Sequence, residues 1–419
     1  MVKRATAASS KKVNAENLAG LGADRLAEIL VGAAETRPDL KRRLRMELAA
    51  AQGEGHLGPE IDKRIGSLET SRGKIGWRQR PTFVQDLDGL RELIAVRLAA
   101  LDATAAADRL WQFMGTARPI SRRFKDRDGS LAAVFHHATA DLGRLITRFD
   151  RDLAATRLVE AVVRQPWAWA EWLPALLAET SPQLAQTALR LMMERRGSVP
   201  GWLTLARQLA DAAQDVDAFR ATYTDETLET PSAAVDVARR FLASDRIDEA
   251  GAVLKAAAPK PTGRNGRLAA PDFDWETTWI EYLERAGDID AAQAVRWESF
   301  ERTLAVDRAK AYASRLADFE DVEAEARAIA YAAQHTDFER ALRFLMAWPA
   351  LADASRMIQS RPDDVEAEPE DAEAWAAQLR RRQPAAAHLL LRKVAAAAFR
   401  RRDFKTCDRL TQEAESIIP

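Results

Sequence analysis

The chain has 419 residues, of which 47% are hydrophobic and 30% charged, the balance of a folded protein of two or three domains or of a stack of helical repeats. Its 62 Lys and Arg face 63 Asp and Glu, and a net charge of −1 excludes a globally basic nucleic-acid coat and a strongly acidic tail protein. One cysteine, Cys407, and five histidines rule out an intrachain disulfide and most structural zinc sites.

In chain order, residues 1–13 are small, polar and basic, the composition of a disordered tail. Met1-Val2-Lys3-Arg4 resembles the start of a secretion signal, but Ala5 to Ser10 is too short and polar to serve as its apolar core before Lys11-Lys12. No stretch approaches the roughly 20 apolar residues of a spanning helix. A cytoplasmic protein without membrane contact is expected.

Residues 14–165 read as an N-terminal helical region. Residues 1–80 hold 16 basic against ten acidic side chains, a local excess of +6, densest at Arg42, Arg43 and Arg45. A second basic patch runs through Arg118, Arg122, Arg123, Lys125 and Arg127, diluted by Asp126 and Asp128. Such stripes can track phosphates, although a solvated helix face has the same composition. Gly20-Leu21-Gly22 lacks both the preceding strand and the third glycine of a dinucleotide-binding turn. Asp128-Gly129-Ser130 marks a turn and a helix start. His136 and His137 would diverge by about 100° on a helix. With Asp141 as their one nearby carboxylate they make a poor metal site, and no metal or cofactor is expected.

A softer boundary falls at Gln165-Pro166, where a tryptophan-rich segment begins, and residues 166–419 read as a region of helical hairpins. Trp167, Trp169 and Trp172 are either an exposed aromatic anchor or packing between neighbouring hairpins. Ser181-Pro182 and Thr230-Pro231 have the form of an N-cap followed by proline, and Gly197 and Gly287 sit where helices should stop. Trp275, Trp279, Tyr282, Leu283 and Ala286 lie on one face of a 3.6-residue helix, as do Phe404, Cys407, Thr411, Ala414 and Ile418. Residues 259–272 and the acidic run 361–373 read as loops.

Four turns share one pattern: an Asp near an apolar residue, then a small residue three positions beyond the apolar one. They are Asp245 with Ile247 and Ala250, Asp288 with Ile289 and Ala292, Asp337 with Phe338 and Ala341, and Asp403 with Phe404 and Cys407. Each predicts a helical hairpin whose small residue lets two helices approach. The apolar positions are 42, 49 and 66 residues apart, so this is no strict 34-residue tetratricopeptide array. Strand-type alternation is almost absent. The fold predicted is all-α: irregular TPR-like helical hairpins, stacked as an α-solenoid or right-handed superhelix.

Scattered pieces add a resemblance. Asn17-Leu18-Ala19, Lys41-Arg42 with Leu44-Arg45, and Asp141-Leu142-Gly143 are among them. So are Arg296-Trp297 with Phe300-Glu301, Asp318-Phe319 with Asp321, and Trp348-Pro349-Ala350-Leu351. Together they are similar to a bacterial family catalogued only as a domain of unknown function. The resemblance implies a TPR-like all-α protein and supplies no catalytic residues. Some related helical proteins add a zinc module with paired cysteines, which one cysteine cannot build. The function expected is a protein–protein interaction scaffold or adaptor for a protein or peptide partner. Its candidate interaction surface is Arg42, Arg43, Arg45, Arg122, Arg123, Trp167, Trp169 and Trp172. Two alternatives stand beside it. One is a nucleic-acid-associated protein using the basic N-terminal region, with binding expected to be weak and non-specific because neither a recognition helix nor a stacking platform is evident. The other is an enzyme whose site leaves no sequence signature.

Overall fold

The computed structural model describes residues 13–195, 197–262, 267–268 and 270–417. All but the last residue of the expected basic tail, positions 263–266 and 269 of the expected 259–272 loop, and Ile418 lie outside the described residues. The architecture is all-α. Among the described residues its one sheet is a pair of two-residue strands, Pro261–Thr262 and Arg267–Leu268, paired antiparallel within that loop. No described helix is long and apolar enough to cross a membrane.

The helices begin and end where local chemistry dictates. Proline opens the helices Pro166–Leu177, Pro182–Met193, Pro231–Ala243, Pro369–Leu379 and Pro384–Arg400, where its missing N–H costs nothing. Asp102, Asp150 and Asp272 cap their helices by accepting from backbone N–H groups in the first turn. The acidic run is less of a loop than its composition suggests: Pro369 starts a helix there, and Arg343 and Arg409 pair with Asp371 and Glu373.

The four Asp turns open helices at Ile247, Ile289, Phe338 and Phe404. Asp288, Asp337 and Asp403 each accept a hydrogen bond from the N–H three residues on. In three of the turns a residue in the left-handed region ends the preceding helix: Asp245, Gly287 and Arg402. The next N–H then reaches back five residues, from Arg246 to Phe241, Asp288 to Leu283, and Asp403 to Ala398, at 2.9–3.0 Å. This closure satisfies the orphan carbonyls of the outgoing helix. Ala250, Ala292 and Ala341 are fully buried where the paired helices meet, and Cys407 is half-buried.

The chain groups into two compact units, Met1–Tyr223 and Thr224–Pro419. In the sequence a softer boundary was expected at 165/166; the helix that starts there, Pro166–Leu177, packs on Ser130–Ile146 and Trp202–Ala212 inside the first unit. Within each unit helices pack on both their next and their next-but-one neighbours, as stacked hairpins do. The second unit's main core gathers Phe300, Phe338, Phe344 and Leu390 among others, and a smaller cluster holds Ile280, Leu283 and Ala292. Trp275 is buried. Trp279 is half-buried rather than buried, stacked on Trp275 with ring centroids 5.6 Å apart.

One glycine in the first unit sets a close helix approach. A Cβ on Gly143 would lie 2.7 Å from the Leu176 carbonyl oxygen, backbone that cannot swing aside. Gly143→Ala is therefore expected to destabilise the protein by about 1–3 kcal/mol, the usual cost of overpacking, read from a shifted denaturant midpoint.

Candidate functional site

The basic segments of the sequence meet in the first unit. Helix Glu54–Thr70 leads into the loop 71–79, and helix Arg80–Glu92 follows. The loop is pinned at Ile75, which is buried and whose N–H donates to the Arg123 carbonyl at 3.0 Å. Arg123 reaches the Leu68 carbonyl at 3.3 Å and lies over the Phe83 ring. Phe83 and Phe124 pack at 5.9 Å, with the Arg80 guanidinium over Phe124. This small aromatic–arginine core joins residues 71–80 to residues 118–127.

What stays outside that core is cationic. Arg72, Lys74 and Arg78 on the loop are exposed, as are Arg118, Arg122, Lys125 and Arg127 on the second segment. None of the seven forms an ion pair with a described residue. Segment 71–80 contains no acid at all. The acid of the other segment, Asp126, and the adjoining Asp128 are turned to local work. Asp126 accepts from the N–H groups of Leu131 and Ala132, and Asp128 from the N–H and hydroxyl of Ser130. The Ser130 hydrogen bonds hold the Asp128 carboxyl below its ordinary pKa, so it stays ionised at the helix start. Trp77, on the same loop as Arg72, Lys74 and Arg78, is 71% exposed, with the Arg78 guanidinium 5.0 Å from its ring centroid.

A second arginine cluster adjoins the first. Arg42, on helix Pro38–Ala51, and Arg64, on Glu54–Thr70, both donate to Asp86, Arg42 at 3.1 Å. Burial pulls the Arg64 guanidinium below its ordinary pKa; Asp86 opposes this, while Arg42 and Arg123 act in the same direction as burial. Arg43 lines a cleft of about 270 Å³ with Arg37 and Arg97, walled by the π-helical turn Leu93–Leu98. Arg45 lines a groove of about 300 Å³ with Lys41 and Lys63. The Nε atoms of Arg42, Arg80 and Arg123 are buried without a hydrogen-bond partner.

The candidates from the sequence therefore separate. Arg42 and Arg123 come together around Arg64, and Arg43, Arg45 and Arg122 remain exposed. The tryptophans divide by burial. Trp167 is 73% exposed, whereas Trp169 and Trp172 are 2% and 8% exposed in an aromatic core with Trp111, Phe113 and Phe135. Those two are core residues, because they sit three apart on the helix side that faces Phe135 and Trp111. His136 and His137 are exposed, and Asp141 is engaged by Arg91 and Arg144 instead of a histidine. No group of described residues is arranged to hold a metal ion. Trp77 was missed in the sequence. Its signal is an aromatic flanked by Gly76 and Arg78, with no apolar partner at helical spacing, in the acid-free stretch Ser71 to Arg80.

The first unit thus combines a helical-hairpin frame with a face rich in hydrogen-bond donors and positive charge. The chain belongs to the family of unknown function DUF6880, which matches residues 8–201 and 192–416. The search of curated proteins returned no match. Among solved structures, one described as a circular tandem repeat protein with novel repeat topology and enhanced subunit contact surfaces aligns with 90% of this chain and 95% of its own. The two share 14% identity at a TM-score of 0.27.

Proposed function

We propose that the protein is a non-catalytic interaction scaffold whose docking face is the cationic surface of the first unit. The observation that carries this reading is the set of seven exposed cations on 71–80 and 118–127 that no described acid neutralises. Many other arginines are paired, as in Arg109 with Asp62 or Arg296 with Glu284, while exposed arginines at 380–382 and 400–402 of the second unit also form no ion pair with a described residue. Concentrated unpaired charge on a rigid frame raises the local concentration of an oppositely charged partner and speeds encounter. The expectation of a protein or peptide partner narrows accordingly to a partner carrying closely spaced negative charge.

Charge reversal tests it. The triple variant Arg72→Glu, Lys74→Glu, Arg122→Glu is expected to keep its helical circular dichroism, since all three side chains are exposed. It should elute from immobilised heparin at much lower salt than the wild type. Equal elution of the two proteins would remove the docking face.

A further inference from the structure

We infer that the docking face takes single-stranded nucleic acid, with Trp77 as the platform on which a base stacks and the surrounding cations as the track for the phosphates. The inference rests on the cationic face proposed above and adds the identity of its occupant. Three observations distinguish this surface from one built for an acidic protein segment or a lipid headgroup.

The first is the indole itself. A large aromatic that is 71% exposed contributes little to the core, and a phosphate or carboxylate gains little from it. A nucleobase does, because every base presents a π-face and stacking tolerates any sequence. The second is the setting of Trp77. It lies on a loop pinned at its middle by the hydrogen bond from Ile75 to the Arg123 carbonyl, so the ring is presented from an anchored backbone rather than from a loose tail. The Arg78 guanidinium 5.0 Å from the ring centroid adds a planar cation that can share the stack. The third is the composition of the cations. Five of the seven exposed cations are arginines, whose forked donors match phosphate oxygens, and they come from the indole's own loop and from the segment 118–127 to which Ile75 ties it. A single exposed indole on a cationic loop suits a strand that splays its bases. Stacking on a π-face and contacts to phosphates read no base edge, so the binding is expected to be independent of sequence.

The experiment uses the full chain. Fluorescein-labelled oligo(dT) 15-mer, a mixed-sequence duplex, polyglutamate and phosphatidylserine vesicles are each titrated with the wild type, Trp77→Ala and Trp77→Phe at 50 and 200 mM salt. Binding of oligo(dT) in the range of about 10⁻⁴ to 10⁻⁶ M near physiological salt is expected, tighter at 50 mM, with log affinity falling by about 0.7 per phosphate contacted for each unit of log salt. Trp77→Ala should weaken oligo(dT) about tenfold, the lower half of the range for one stacked base, while Trp77→Phe keeps most of the affinity. Polyglutamate should be indifferent to both changes. An unchanged oligo(dT) affinity in Trp77→Ala would overturn the inference. So would duplex, polyglutamate or vesicles binding as tightly as oligo(dT), and in those cases the docking face itself would stand. If no polyanion binds the wild type even at 50 mM salt, the docking face and its occupant fall together.

Discussion

Replacing Glu276 by alanine is expected to destabilise the second unit by about 3–5 kcal/mol, the cost of leaving buried charge without its partner. Glu276 is 3% exposed in the first turn of helix Phe273–Arg285, where the positive end of the helix dipole favours a carboxylate. One of its oxygens accepts from Arg302, and the other from the hydroxyl of fully buried Ser299, both on helix Ile289–Thr303. Arg308, on helix Val306–Ala313, donates to the same Ser299 oxygen at 3.1 Å, to the Thr277 hydroxyl at 2.7 Å and to the Phe273 carbonyl at 3.1 Å. Its guanidinium lies 4.1 Å above the Phe273 ring. Three helices are thus tied through one carboxylate. Burial lowers the Arg308 pKa, yet a guanidinium remains protonated in a protein, so removing Glu276 strands a charge and does not neutralise it. A urea melt measures the loss. Glu276→Gln keeps the shape and one acceptor and should fall between wild type and alanine. A loss under about 0.5 kcal/mol, the level of an ordinary surface substitution, would show that the network relaxes onto solvent.

Trp169→Ala is expected to cost about 3–5 kcal/mol, whereas Trp167→Ala, two residues away, should stay within about 0.5 kcal/mol. Trp169 is 2% exposed, 5.6 Å from the Trp111 ring and 5.8 Å from Trp172, so truncation opens a cavity among rings that cannot all shift inward. Trp167 is 73% exposed and makes no ring contact within that cluster. Denaturant melts of the two variants decide the matter, and equal losses would mean that the helix Pro166–Leu177 packs in another orientation.

The elements of the fold were legible in the residues because they follow from short-range chemistry. Proline at helix starts, glycine at helix stops and an Asp ahead of each hairpin's second helix act within a turn or two of chain. So the openings at Pro182, Pro231, Ile289, Phe338 and Phe404 could be read directly. The acidic run is only partly the loop its composition suggests, because charge density is not backbone conformation: Pro369 begins a helix whose Asp371 and Glu373 are paired with Arg343 and Arg409 from other helices.

The docking face was only half legible. Positive charge is visible residue by residue, and Arg42, Arg43, Arg45, Arg122 and Arg123 stand out in the chain for that reason. Which cations share a surface depends on contacts between distant residues. The Ile75 to Arg123 hydrogen bond and the Phe83–Phe124 pair, each more than 40 residues apart in sequence, weld two ordinary basic stretches into one face. The same holds for tryptophan. Helical spacing says that Trp169 and Trp172 share a side, but only the packing of Phe135 and Trp111 against that side makes it core. On the loop 71–79 it is Ile75 that is buried against the segment 118–127, and Trp77, two residues on, is left exposed. Local propensity and patterning operate over a few residues and were written in the chain. Burial, ion pairing and the assembly of a surface are set by which distant segments the fold brings into contact, and those contacts belong to the folded molecule.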